Sequence, residues 1–428
     1  MRAEVTGPSH DAAVIVVGAG AAGLFGAIAC AEACPGQPIH VFEAGRAALA
    51  KVRISGGGRC NVTHACFDPA LLVTHYPRGR RALRGPFSRF QPQDTVQWFA
   101  QRGVRLKTEA DGRMFPTTDD SATIVDCLLG EARRLGIRIH TGQAVAQVTP
   151  HSQGDPPGFD LTTRAGEVWR CRSLLLATGS SPSGYRLALS LGHDLVPPVP
   201  SLFTFTIADP ALRQLAGVSV ETVDLQLSLT DAPALTQSGP LLITHWGLSG
   251  PAVLKLSAYG AVGLHHQHYR APLTINWLPA LPQAQVRQTL LDLKQTQGKR
   301  PVAAFSPFPA LSRRLWQYLI QHRVQLGAAL NWADLSKAQL QRLVMELSRG
   351  EFAIAGKGVF KDEFVTCGGI PLAEVNFKTL ESRRCPGLYL AGELLDIDGV
   401  TGGFNFQNAW TTGWLAGQAM AASLARAD

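Results

Sequence analysis

The chain has 428 residues, 46% hydrophobic and 17% charged, which excludes wholesale disorder and allows a large buried core. Forty Lys and Arg against 32 Asp and Glu leave a net charge of +8, compatible with a nucleic-acid partner without demanding one. The 43 glycines follow no period, so collagen is excluded.

In chain order, the first dozen residues are polar and predict a disordered lead-in. Ala12 to Ala31 is free of charge and long enough to span a bilayer, but its glycine pattern argues for another structure. Ala13–Val17 predicts a buried strand, Leu24–Ala33 a helix and Ile39–Glu43 a second strand, together one β-α-β unit. Residues 46–120 are Gly- and Arg-rich and mostly irregular, with a helix predicted over 93–102 and a short strand after it. Ser121–Leu135 predicts an amphipathic helix capped by Ser121 or Asp120. Strand patterns follow to Gly179.

Pro197, Pro198 and Pro200 mark a domain exit. Strand patterns dominate 201–276, and 282–349 reads as three helices rich in Gln, Leu and Arg. Strand and glycine character returns over 364–404, and a last helix is predicted from about Asn408 to Arg426. The two ends resemble each other, so the middle reads as an insertion.

Gly18-Ala19-Gly20-Ala21-Ala22-Gly23 is a GxGxxG run that leaves a strand and opens a helix, with Glu43 ending the next strand. In that context the pattern predicts a dinucleotide site. Gly18 permits the turn, Gly20 lets backbone approach a pyrophosphate, and Gly23 lets helix and strand pack. The helix N-terminus offers free N–H groups to the diphosphate. Glu43 suits ribose hydroxyls and disfavours a 2′-phosphate, which leaves FAD or NAD. Three signals favour FAD: the strand ending in Ala177-Thr178-Gly179, the late strand ending in Gly392-Glu393, and Gly402-Gly403-Phe404-Asn405 ahead of the last helix. There is no second GxGxxG for NAD(P)H.

Lys51-(x3)-Ser55-Gly56-Gly57-Gly58-Arg59-Cys60-Asn61-Val62-Thr63 resembles the signature of the YhiN flavoproteins, also called the BaiN/RdsA family of NAD(P)/FAD-dependent oxidoreductases. Further matches are Thr244–Pro251, Val365–Ile370 and Ala391–Gln407. His64 and Cys367 depart from the family pattern. The resemblance implies an α/β fold: a discontinuous Rossmann-like FAD-binding domain with an inserted β-barrel-like domain and a small helical domain. The expected boundaries are 1–196 and 356–428 for the FAD-binding domain, 197–278 for the barrel and 279–355 for the helices. It implies FAD, with NADH or NADPH as transient donor. It implies as substrate a small organic molecule, reduced or oxidised by hydride transfer through flavin N5, or alternatively a uridine of ribosomal RNA.

The cofactor-binding set expected is Gly18, Gly20, Ala22, Gly23, Glu43, Lys51, Gly57, Gly58, Arg59, Cys60, Asn61, Val145, Ala177, Thr178, Gly179, Gly392, Glu393, Gly403, Phe404 and Asn405. Arg59 would hold phosphate or a flavin carbonyl, and Lys51 would neutralise the diphosphate, each against the plainer reading of a surface charge. Candidate catalytic residues are His245, Cys60 and Asn405, with Gln407 and Asn408 offering amides to the flavin or substrate edge. Cys60 and Cys66 could form a dithiol relay, although Cys60 reads better as a small packed side chain. No CxxC pair occurs among the eight cysteines, no secretory leader is recognised, and reduced thiols in a cytoplasm are expected. His265, His266 and His268 read as a solvated loop, and no metal is expected. Arg78, Arg80, Arg81, Arg84 and Arg89, interleaved with Tyr76, Phe87 and Phe90, suit RNA phosphates and bases, or a basic loop near the cofactor.

Overall fold

In the computed structural model, which describes residues 10–151, 158–230, 232–358 and 365–427, the apolar run near the N-terminus forms strand β1 (His10–Val17). The strand therefore starts three residues earlier than expected, because His10 pairs in register with Trp169. Residues 1–9 of the expected lead-in lie outside the described residues. Helix α1 (Ala21–Ala33) follows, then β2 (Ile39–Glu43), parallel to β1. Three longer helices come next: α2 (Arg80–Phe87), α3 (Pro92–Ala100) and α4 (Ala122–Arg134). Asp120 caps α4 by accepting from the Ala122 N–H (2.8 Å), while the Ser121 hydroxyl donates elsewhere, to the Arg53 carbonyl (2.6 Å). Strand β3 (Arg138–Thr141) pairs parallel with β2. Strands β4 (Val145–His151), β5 (Gly158–Thr163) and β6 (Val168–Leu176) form an antiparallel meander, with β6 also parallel to β1. Helix α5 (Pro182–Ser190) follows.

The next stretch forms a compact unit of its own, Val199–Phe364. It holds β7 (Phe205–Ile207), β8 (Ser219–Leu227), β9 (Leu235–Ile243), β10 (Gly247–Ser249), helix α6 (Pro251–His266) and β11 (Ala271–Asn276). Then come α7 (Gln283–Thr296), α8 (Arg313–Tyr318), α9 (Lys337–Arg349) and β12 (Gly350–Lys357). The strands close into an antiparallel barrel in the order β7-β10-β9-β8-β11-β12. Two expectations change here. The sixteen-residue α6 interrupts a region that reads as strands, because its alternating small and branched residues fit either period. Its last residues are His265 and His266, so these histidines end a helix rather than fill a loop. The barrel also takes its last strand from beyond the helices, and one apolar core joins Phe205, Leu225 and Ile275 to Trp316, Trp332 and Leu343.

The chain returns to the first unit at Val365. Strand β13 (Leu388–Leu390) adds to β6, completing a parallel sheet β3-β2-β1-β6-β13. Helix α10 (Phe404–Ala427) packs on α1 with backbone nearly touching backbone. A Cβ on Gly413 would lie 2.4 Å from the Ala22 carbonyl oxygen, and one on Gly417 2.4 Å from that of Gly26. This contact buries α1 almost all round, which explains its unbroken apolar sequence.

Candidate functional site

The C-terminal ends of β1, β2, β6 and β13 meet at one edge of the sheet, where ligands of open parallel sheets bind. The three fingerprint glycines differ there. A Cβ on Gly18 would lie 2.4 Å from the Ala177 carbonyl oxygen, and one on Gly23 would lie 1.9 Å from that of Gly18. Around Gly20 nothing stands within 4 Å. Two of the glycines are therefore required by the protein's own packing, and the third faces open space. Helix α1 has no side-chain cap and no acid in its first turn, so its N-terminus keeps the positive end of its dipole unmasked.

Glu43 braces this turn. One carboxylate oxygen accepts from the Ala19 N–H (2.9 Å) and the other from the Gly45 N–H (2.7 Å). Each oxygen keeps a lone pair for a ribose hydroxyl. Val145 is buried at the start of β4, two residues after Gln143, whose N–H donates to the Glu43 carbonyl (2.9 Å). At the end of β6 the Thr178 hydroxyl is shielded from solvent without a hydrogen-bond partner among the described residues. The Tyr185 hydroxyl on α5 is in the same condition, and burial pushes its ionisation up.

The Ser55–Cys60 loop supplies a second open surface. Gly57 and Gly58 have φ of 68° and 84°, and a Cβ on either would meet nothing within 4 Å. Asn61 ties this loop to the start of α10. Oriented to suit its neighbours, its amide donates to the Thr63 carbonyl (3.0 Å) and accepts from the Gly403 N–H (3.0 Å). Phe404 is buried and stacks on His75 at 4.3 Å and on His64 at 4.7 Å.

Several residues have other partners than expected. Lys51 pairs with Glu393 (2.9 Å), whose other oxygen accepts from the Thr366 N–H (3.1 Å). Arg59 pairs with Glu109 (2.7 Å) and lies 4.0 Å over the Phe115 ring, so its charge is already matched. Both Asn405 amide atoms close on the Gly399 backbone, at 2.8 and 2.9 Å. Gln407 is fully buried and bonded to Thr63, Thr95 and Thr411. Asn408 is buried in α10. The Asn405 and Gln407 amides are thus bonded to the protein's own groups, whereas the Asn408 Oδ1 is buried without a hydrogen-bond partner among the described residues. The Cys60 thiol is fully buried, and burial pushes it up to about 12, so it is a neutral packed side chain. His245 belongs to the barrel unit, exposed in the turn between β9 and β10.

The basic cluster also divides. Arg78 forms a two-pronged pair with fully buried Asp398. Arg89 donates to the Lys378 carbonyl (2.6 Å). Arg80, Arg81 and Arg84 lie on α2. Tyr76, Phe87 and Phe90 are buried, which removes them as base-stacking surfaces. The acids of Leu394-Leu395-Asp396-Ile397-Asp398 were a usable signal, since a carboxylate inside an apolar run needs a partner.

An open glycine turn at a helix N-terminus, braced by an acid at the end of the next parallel strand, defines a Rossmann-type dinucleotide site, and the chain is an FAD-dependent oxidoreductase. Residues 12–419 match the HI0933-like protein Rossmann domain, and the chain belongs to that family. It is 30% identical over 412 residues to a ribosomal RNA dihydrouridine synthase of Haemophilus influenzae, covering 94% of this chain and 96% of the relative. It is 31% identical over 421 residues to a 3-dehydro-bile acid delta(4,6)-reductase of Clostridium scindens, covering 95% and 98%. A solved 3-ketosteroid-delta4-(5alpha)-dehydrogenase from Rhodococcus jostii shares the fold, with a TM-score of 0.53, 16% identity and 98% of each chain covered. Among the described residues no helix is long and apolar enough to cross a membrane.

Proposed function

We propose that this chain reduces a carbon–carbon double bond conjugated to a carbonyl, in a small organic acceptor. The carrying observation is the set of glycines at 20, 57 and 58, whose surfaces are open and which would let the family's cofactor approach the backbone. The reading is supported by what the relatives' names share, since dihydrouridine formation and delta(4,6) reduction both saturate such a bond. Bound FAD supplies hydride acceptance and donation. The N-terminus of α1 would hold the diphosphate, Glu43 the ribose, and the Thr178 hydroxyl a polar atom of the linker. The Ser55–Asn61 loop and the Gly402–Phe404 turn would flank the ring system, and Lys51 and Glu393 would fix its approach as an ion pair. The burial of Cys60 argues against a dithiol relay. NADH or NADPH is the proposed donor, and the eight free thiols suit a cytoplasmic site.

A second reading, a uracil ring in RNA as acceptor, is favoured by the surplus of positive charge. One experiment separates the two. The purified protein is reduced anaerobically with NADH or NADPH, then offered a cyclic enone or ribosomal RNA. Reoxidation of the flavin by the enone supports the first reading, and reoxidation by RNA alone the second. A protein that takes up no FAD, or is reoxidised by neither, refutes both.

A further inference from the structure

The chain has two strongly basic stretches: residues 46–107 carry twelve Lys and Arg against two acids, and the barrel unit's helices form the other. Residues 282–349 carry ten Lys and Arg against three acids, a surplus of seven in a chain whose total is +8. Two of the ten are half-buried and held by internal partners. Arg323 pairs with Glu346 (2.7 Å), and Lys294 donates to the Leu335 carbonyl. The other eight are exposed, and none forms an ion pair among the described residues.

Four of those eight converge around helix α9. Leu340, Leu343, Val344 and Leu347 bury one side of the helix. Lys337, Ala338, Gln341, Arg342, Met345 and Arg349 are exposed, and at 3.6 residues per turn they fall within about 140° of the circumference. That arc holds no carboxylate, because Glu346 turns to Arg323 at its border. Arg287 of α7 reaches across to Gln341 (2.7 Å) and adds the fourth cation.

We propose that this face of α9, extended by Arg287, is a docking surface for the phosphate backbone of RNA, an inference that rests on the RNA reading above. Guanidinium groups bind phosphate oxygens in pairs, and the Gln341 amide among them can donate to sugar or base edges. An anionic membrane is a poorer match. A membrane-surface helix needs a broad band of Leu, Phe or Trp beside its cations, and this face offers only Ala338 and Met345. Helix α2 is also a poorer match, since it spans two turns and its neighbouring aromatic rings are buried.

The test compares the FAD-loaded wild type with the triple variant K337Q/R342Q/R349Q by titration with ribosomal RNA across a salt series. Removing three phosphate contacts should weaken binding at least ~10-fold and lower the salt slope by about 2. FAD content, thermal unfolding and the rate of flavin reduction by NAD(P)H should not change. The charge-preserving variant R342K/R349K should restore most of the affinity, which a folding defect would not allow. An unchanged affinity and slope in the triple variant overturns the proposal, all the more if R80Q/R81Q/R84Q loses binding instead. Loss of binding to phosphatidylglycerol vesicles without loss of RNA binding also overturns it. Wild type that neither binds nor reduces RNA refutes the RNA reading itself, whereas wild type that reduces RNA with an indifferent triple variant refutes only this surface.

Discussion

The Gly18–Gly23 turn and the Ser55–Cys60 loop are both glycine-rich and are both proposed to meet the cofactor, yet they hold their glycines for different reasons. In the first, Gly18 and Gly23 are filled in by the chain's own carbonyl oxygens, and only Gly20 stays open. In the second, Gly57 and Gly58 touch nothing, and what they require is a positive φ. A glycine can thus serve packing, ligand approach or backbone conformation, and the letter in the sequence does not say which.

The largest effect should come from Gly23→Ala. Its methyl would sit 1.9 Å from a backbone oxygen that cannot move without opening the β1–α1 turn. A loss above about 3 kcal/mol is expected, as for severe overpacking. Thermal and urea unfolding of the variant would measure it, and a change below about 1 kcal/mol would remove Gly23 from the packing class.

Gly20→Val should do the reverse. Gly20 has φ of −83° and an open surround, so unfolding of the apoprotein should shift by less than about 0.5 kcal/mol. FAD affinity should fall at least ~10-fold, about 1.4 kcal/mol, because the side chain occupies the diphosphate's approach. Fluorescence titration of apoprotein with FAD reads this directly. Equal affinity for Gly20→Val and wild type would place the dinucleotide elsewhere.

The fingerprint's purpose was legible because its residues are close in sequence: strand, turn, helix and Glu43 lie within one β-α-β unit. Partners far along the chain were not. Nothing near Arg78 announces Asp398, 320 residues on, so an internal ion pair reads as part of a basic patch. Arg59 reads as a phosphate ligand until Glu109 and Phe115 fold against it. Helix α6 was missed for a local reason, since its apolar positions suit either period.

Gly57→Ala probes the second loop. An alanine at φ of 68° costs about 1 kcal/mol of backbone strain and clashes with nothing. Unfolding should register that amount. A much larger loss would mean that the loop is packed like the Gly18–Gly23 turn, and the contrast between the two would fail.

The smallest effect is expected from Cys60→Ala, at the end of the same loop. A thiol becomes a nucleophile only as thiolate, and burial holds this one at about 12. The side chain is fully buried beside Ser55, so its removal trims packing without touching chemistry. Enone turnover should stay within ~2-fold and show no ionisation between about pH 7 and 10 attributable to the thiol. Iodoacetamide should leave Cys60 unmodified in the folded protein. A fall in turnover beyond ~10-fold at full FAD content would mean that the thiol takes part in the reaction, and the loop would then supply a reacting group as well as an open surface.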